Sequence, residues 1–282
     1  MSDLKLTKNR VSILLGMYKK GIGTNHIANI MSIHRTTVQK YLKRYGIKLR
    51  KTSPWKNTYA INFFKRPNKI NSYWAGFLLA DGHVRNKRST VSLKLKRADH
   101  SHLIKFKKAL GFSGEIKRYK KYSVIDISGT WFIEDLRKNF GIVPNKTFRL
   151  VFPKLSEENT KHFIRGIMDG DGSVSYATNK QGKKYITVSF LGYKPITQKI
   201  RDILCFNLVL KRRGKNGEVY TPTLVKHKNK KLAYISFSGR NAVRVLKYLY
   251  GNSSSATRLE RKYIRYKQTK DGKVQCSNTG VW

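Results

Sequence analysis

Two apolar segments of nearly the same shape stand 90 residues apart in this chain: Trp74-Ala75-Gly76-Phe77-Leu78-Leu79-Ala80-Asp81-Gly82 and Ile164-Arg165-Gly166-Ile167-Met168-Asp169-Gly170-Asp171-Gly172. Each reads as a helix that ends in Asp-Gly. Small residues at i and i+4, Gly76 with Ala80 and Gly166 with Gly170, leave one face of each helix nearly bare backbone. Two such helices are expected to pack against each other at short range. The glycine after each aspartate is expected to let the chain leave the helix in a left-handed conformation.

The segments belong to a longer internal repeat. Ser128-Gly129 matches Ser238-Gly239, Leu136 matches Leu246, Gly141 matches Gly251 and Thr147 matches Thr257, all at an offset of 110. The larger offset puts about 20 extra residues in the second copy, in the basic stretch from Lys211 to Lys231. Thr90–Lys96 alternates strictly, with Val91, Leu93 and Leu95 on one face and Ser92, Lys94 and Lys96 on the other. Tyr122–Ser128, Tyr185–Leu191 and Leu232–Ser238 are also strand-like. The expected class is therefore α+β, with two copies of one mixed unit at 71–155 and 156–268.

Ahead of the repeat, apolar residues recur at helical spacing through three short helices, with a turn at Ser32-Ile33-His34. Residues 1–50 resemble a helix-turn-helix, a small all-α domain whose last helix enters the major groove. That places Arg35, Thr36, Thr37, Gln39, Lys40 and Arg44 on or near a DNA-reading face. Residues 51–70, with Pro54 and Pro67 and no sustained period, read as a basic linker, and 269–282 as a tail.

Composition decides the partner. The chain carries 60 Lys and Arg against 15 Asp and Glu, a formal charge of +45 in 282 residues. Self-repulsion of that size disfavours a compact state unless a polyanion is bound, and nucleic acid is the first candidate. Ser92, Lys94, Lys96, Thr187, Ser189, Lys226 and Lys228 on polar strand faces would meet the DNA. No apolar run approaches a membrane span, and residues 1–10 lack a signal-peptide core, so an intracellular, cytoplasmic protein is expected. Two cysteines, Cys205 and Cys276, provide neither a disulfide framework nor a zinc site. His100 and His102 lack the spacing of a zinc helix and are expected at the surface. No Gly-rich phosphate loop supports nucleotide hydrolysis.

With acids so scarce, their positions carry information. A carboxylate at the negative end of a helix dipole is disfavoured, and bringing Asp81 beside Asp171 adds like-charge repulsion. Divalent cations remove both penalties. Oxygen ligands on hard ions describe Mg²⁺, and paired ions suit in-line displacement at a phosphodiester.

On these two motifs, their spacing and the strands after each, about 200 of the 282 residues resemble the LAGLIDADG homing endonuclease family in its single-chain, two-motif form. The resemblance implies two pseudo-symmetric αββαββα units with saddle-shaped antiparallel sheets lying along DNA. It implies a monomer making a staggered double-strand cut with short 3′ extensions in a long specific site. Asp81 and Asp171 would be the metal-binding catalytic acids, one per strand, with the carbonyls of Ala80 and Gly170 as further ligands of Mg²⁺, or of Mn²⁺ as a substitute. Pro144-Asn145-Lys146-Thr147 resembles the segment that carries a basic residue organising the attacking water, which makes Lys146 the third catalytic candidate. The matching Ser254-Ser255-Ala256-Thr257 has no lysine, so unequal strand cutting is expected. The first motif departs from the family in carrying Leu79 where an acid is frequent. An intron RNA-splicing maturase and a non-catalytic DNA-binding regulator remain open beside the nuclease.

Overall fold

The computed structural model describes residues 6–49, 57–85, 89–143, 150–211, 219–270 and 273–274. Helices α1 (Lys8–Lys19), α2 (Thr24–Met31) and α3 (Arg35–Arg44) form the N-terminal domain. Thr7 caps α1 by accepting from the Arg10 amide, and the His34 ring caps α3 by accepting from the Thr36 amide. Val11, Leu14, Ile27, Val38 and Leu42 are buried among them. Ser32 takes the left-handed conformation at φ 52°, which turns the chain sharply between α2 and α3.

This domain sits on the first repeat unit. His26 Nε2 lies 3.4 Å from the Tyr59 carbonyl oxygen, and Lys20 Nζ lies 4.0 Å from the Trp131 ring centroid. The stretch expected to be a linker is partly core: Tyr59, Ile61 and Phe64 are buried, and the Tyr59 hydroxyl donates to the Ser128 carbonyl at 3.0 Å. Apolar residues without a period still bury when the segment lies across a neighbouring unit rather than forming an element of its own.

Each repeat has the order helix, strand, strand, helix, strand, strand, helix. The first unit runs α4 (Lys69–Asp81), β1 (Gly82–Arg85), β2 (Thr90–Lys96), α5 (His100–Leu110), β3 (Lys117–Arg118), β4 (Tyr122–Ser128) and α6 (Thr130–Phe140). The second runs α7 (Glu157–Gly170), β5 (Ser173–Thr178), β6 (Lys184–Tyr193), α8 (Lys194–Asn207), β7 (Val225–Lys226), β8 (Leu232–Ser238) and α9 (Gly239–Tyr250). All strand pairs are antiparallel: β1-β2-β4-β3 in one sheet, β5-β6-β8-β7 in the other. A short hairpin, β9 (Thr269–Lys270) and β10 (Lys273–Val274), extends the second sheet at Tyr185. Alternation along the strand is what this topology uses: on β4, Ile125 and Ile127 face the helices, while Asp126 and Val124 face away.

At the centre, α4 packs along α7, the most extensive helix pairing among the described residues. Its closeness is fixed by glycine. A Cβ on Gly76 would overlap the Phe163 carbonyl oxygen, and one on Gly166 would overlap that of Tyr73. Gly82 and Gly172 do not take the left-handed conformation expected of them; Gly82 leaves α4 at φ −77°, ψ 147°. Their lack of a side chain serves close approach instead, because a Cβ would stand 2.5 Å from the Leu78 carbonyl oxygen or the Met168 sulfur respectively. A last helix, α10 (Glu260–Lys267), crosses back to the first unit through Lys105 with Glu260 at 3.3 Å and Arg261 with Asp99 at 3.1 Å. No described helix is long and apolar enough to cross a membrane.

Candidate functional site

The helix pair delivers Asp81 and Asp171 to the same end of the molecule. Both are exposed, each at the C-terminus of its helix, and Asp81 Oδ2 lies 3.5 Å from where a Cβ on Gly170 would be. Ala80 and Gly170 face each other so closely that a Cβ on Gly170 would collide with that of Ala80. The four candidate oxygen donors thus sit at one seam: two carboxylates and two carbonyls at helix ends, where backbone dipoles already point negative. Among the described residues, no three His, Cys, Asp or Glu side chains gather to hold an ion by themselves. Two carboxylates with room for substrate phosphates is a donor set that Mg²⁺ accepts, because that ion keeps part of its coordination for water and phosphate.

A cation that sequence reasoning missed lies against this seam. Lys262, on α10, is buried, and its ammonium donates to the carbonyls of Met168 (2.6 Å), Asp169 (2.8 Å) and Gly172 (2.5 Å), with Gly170 at 3.4 Å. It thereby satisfies the orphan carbonyls at the end of α7. Burial holds its pKa down to about 8, against the pull of Asp169, Asp81 and Asp171 toward the charged form. Ser254-Ser255-Ala256-Thr257 has no lysine at the place matching Lys146, but Lys262 arrives from five residues beyond that segment, on a helix that folds back. The signal available is the amphipathic run after Leu259, just past the residues that the 110-residue offset matches. Lys146 and its segment lie outside the described residues, as do Cys276 and the start of the linker.

Behind the seam is a buried polar network. Asp169 accepts from Tyr73 Oη at 2.8 Å, from the Leu259 amide at 2.8 Å and from Tyr250 Oη. Burial pushes its carboxyl up, while the tyrosine donors and Lys262 pull it down. The Leu259 bond anchors the start of α10, and so sets where Lys262 stands. Arg165 is fully buried and donates to Thr257 O at 2.8 Å and Leu249 O at 3.1 Å. The first unit has Ala75 and Leu79 at the corresponding places, so this network exists once.

His102 is also part of it, contrary to the surface placement expected. It is 1% exposed, its ring lies tilted at 4.8 Å from the rings of both Trp74 and Phe77, and its Nε2 lies 2.9 Å from Tyr73 Oη. It falls on the inward face of α5 with Leu103, Phe106 and Leu110. Since the Tyr73 proton goes to Asp169, His102 Nε2–H is the donor. Burial, with the Lys105, Arg261 and Lys262 cations nearby, holds its pKa down to about 3. An unfolded chain takes up a proton near pH 6.5 that the folded ring refuses. Stability is then full above that pH and declines as pH falls toward 3, by up to about 1.4 kcal/mol per unit. In urea titrations between pH 7 and 4, His102→Gln, whose amide still donates to Tyr73, is expected to show a shallower decline than wild type; equal slopes would remove this account of His102.

On the open face of the first sheet, a groove runs from Asp81 past His83, Arg85, Ser92, Lys94, Lys117, Tyr119, Tyr122, Val124 and Asp126. Lys94 Nζ stands 3.8 Å from the Tyr122 ring centroid, and Tyr119 stacks on Tyr122 at 4.7 Å. Lys96 is exposed, opposite Tyr122. In the second sheet Thr187 and Ser189 lie on the corresponding open face, with Thr187 Oγ1 2.8 Å from Ser175 Oγ. Lys226 pairs with buried Ala233, which puts it on the helix-covered side at the edge, and Lys228 is exposed in the turn before β8. On α3, Arg35, Thr36, Lys40 and Arg44 are exposed, and Thr37 and Gln39 are half-buried.

No protein-family model and no curated protein matches the chain. Solved structures do. A structure of meganuclease I-SmaMI bound to uncleaveable DNA overlays with a TM-score of 0.49 at 12% identity, covering 71% of this chain and 90% of that one. The LAGLIDADG homing endonuclease I-GzeII in complex with its DNA target overlays at 0.46 and 13% identity, covering 72% and 89%. For I-LtrWI, a LAGLIDADG homing endonuclease bound to target DNA, the figures are 0.44, 14%, 72% and 89%.

Proposed function

We propose that this protein is a site-specific endonuclease that hydrolyses phosphodiesters on both strands of duplex DNA, leaving a staggered end. The observation that carries the proposal is the glycine-interlocked pair α4 and α7, which puts Asp81 and Asp171 at one seam beside a basic groove. Both carboxylates stand at helix C-termini, where the dipole disfavours negative charge, and their proximity adds mutual repulsion.

Mg²⁺, or Mn²⁺ in its place, would be held by Asp81, Asp171 and the carbonyls of Ala80 and Gly170, and when bound would polarise the scissile phosphate and acidify water. The rest is done by the chain. Lys94, Lys96 and Lys117 neutralise phosphates along the groove, and Thr187 and Ser189 offer hydroxyls on the second sheet. Lys262, held on the carbonyls at the end of α7, supplies positive charge that acts on both carboxylates and offsets their repulsion before substrate arrives. The two sheets and one reading helix together suit a long target and need no second chain.

The test is cleavage of a target selected from a randomised duplex library in Mg²⁺. Wild type is expected to cut both strands, and the Asp81→Asn, Asp171→Asn double variant to bind and not cut. Retained cutting by the double variant would sink the mechanism. Preference for a structured intron RNA over duplex would favour the maturase, and metal-independent binding without breaks the regulator.

The N-terminal domain is proposed to act as a helix-turn-helix that extends the footprint. Exposed Arg35 and Arg44 frame the outer face of α3. Replacing either with alanine is expected to leave the melting temperature unchanged and to reduce the slope of log affinity against log salt by about one for each phosphate no longer neutralised. Unaltered slopes in both variants would take α3 out of the interface.

A further inference from the structure

One acid on the open sheet face has no place in phosphate binding. Asp126, on β4, lies in the groove with its side chain 29% exposed, surrounded by Arg85, Lys94 and Lys117. Ser92 Oγ donates to its Oδ1 at 2.5 Å and Lys117 Nζ to its Oδ2 at 3.2 Å. These contacts fix the carboxylate and use two of its roughly four lone-pair sites, leaving the others to the groove. Stability does not account for it, since Lys117 is 61% exposed and such a pair contributes little. Toward a phosphate backbone the charge is repulsive.

The related position in the second unit differs. Across the first sheet, His83, Ser92 and Asp126 stand in one row; across the second, Ser173, Ser189 and Ser236 do. Each row begins two residues after a candidate catalytic aspartate. The two rows thus offer different chemistry to the two halves of a target: a fixed anion in one, hydroxyls alone in the other.

Resting on the reading of the protein as a DNA endonuclease, we propose that Asp126 is a specificity-determining residue that selects cytosine at one position in the half-site lying on the first sheet. A carboxylate only accepts, and cytosine N4 is the amino donor in the major groove with no acceptor beside it. Guanine presents N7 and O6, thymine presents O4, and adenine sets N7 next to its amino group, so each turns a lone pair toward the carboxylate. Discrimination of about 10-fold or more for cytosine over guanine is expected from one such contact.

The full-length protein, Asp126→Asn and Ser236→Asp would each be incubated with a randomised duplex library in Ca²⁺, and the bound duplexes sequenced. Wild type is expected to enrich cytosine at one position, and Asp126→Asn to lose that preference there alone without weaker binding to the pool, because a charge that repels phosphates has gone. Ser236→Asp is expected to gain a cytosine preference at the position related by the pseudo-twofold in the other half. An Asp126→Asn profile identical to wild type overturns the proposal and leaves the DNA reading standing. Should that variant not fold, an unchanged Ser236→Asp profile overturns it in its place. A wild type that selects no sequence overturns the DNA reading together with it.

Discussion

Gly166→Ala is expected to unfold the protein or cost it more than about 3 kcal/mol. The added Cβ would overlap the Tyr73 carbonyl oxygen and stand 2.7 Å from the Phe77 amide nitrogen. Both are backbone atoms in the middle of α4, so no side-chain rotation relieves the clash and the helices must separate. Separation exposes Tyr73, Phe77 and Ile167 and breaks the register that brings Asp81 to Gly170. Gly16→Ala supplies the control. Gly16 lies inside α1 with nothing within 4 Å of a Cβ, and the substitution there is expected to stabilise by about 0.5–1 kcal/mol. Urea unfolding of the two variants measures both; equal midpoints would mean that α4 and α7 are not in contact.

Single substitutions at the seam are expected to act on chemistry without harming the fold. Asp81→Asn and Asp171→Asn should each slow double-strand cutting by at least ~10³-fold and leave nicked duplex, since removing a ligand forfeits several kcal/mol of charge stabilisation. Mg²⁺ should raise the melting temperature of wild type and not of the double variant, because only an ion that binds the folded seam shifts the equilibrium. Double-strand cutting at the wild-type rate by either single variant would separate that aspartate from the reaction.

Much of this arrangement is legible in the chain. Strict alternation at Thr90–Lys96 and the strand-like runs Tyr122–Ser128 and Leu232–Ser238 mark strands with the observed ends, because one face of each carries the apolar residues buried against helices. The Gly76/Ala80 and Gly166/Gly170 spacing marks the close helix pair. What is not legible depends on contacts distant in sequence. Lys262 reaches the end of α7 only because α10 folds back, anchored 90 residues away through Leu259 and Asp169. His102 is buried because α5 turns that side of its first turn toward Trp74 and Phe77, which a pair of histidines at i and i+2 does not reveal. Gly82 and Gly172 depart from expectation for a related reason: a glycine after a helix can answer either to backbone conformation or to a neighbouring atom, and here Leu78 and Met168 decide it.

The central claim is that Asp81 and Asp171 together cut DNA, and the most direct measurement is the sequencing of every new end made in a randomised duplex library by the purified chain. The account predicts recurrent paired ends with a short 3′ stagger in Mg²⁺, none in Ca²⁺, and none from the double aspartate variant. Ends that persist in that variant, or a wild type that retains DNA selectively in Mg²⁺ without producing any ends, would contradict it.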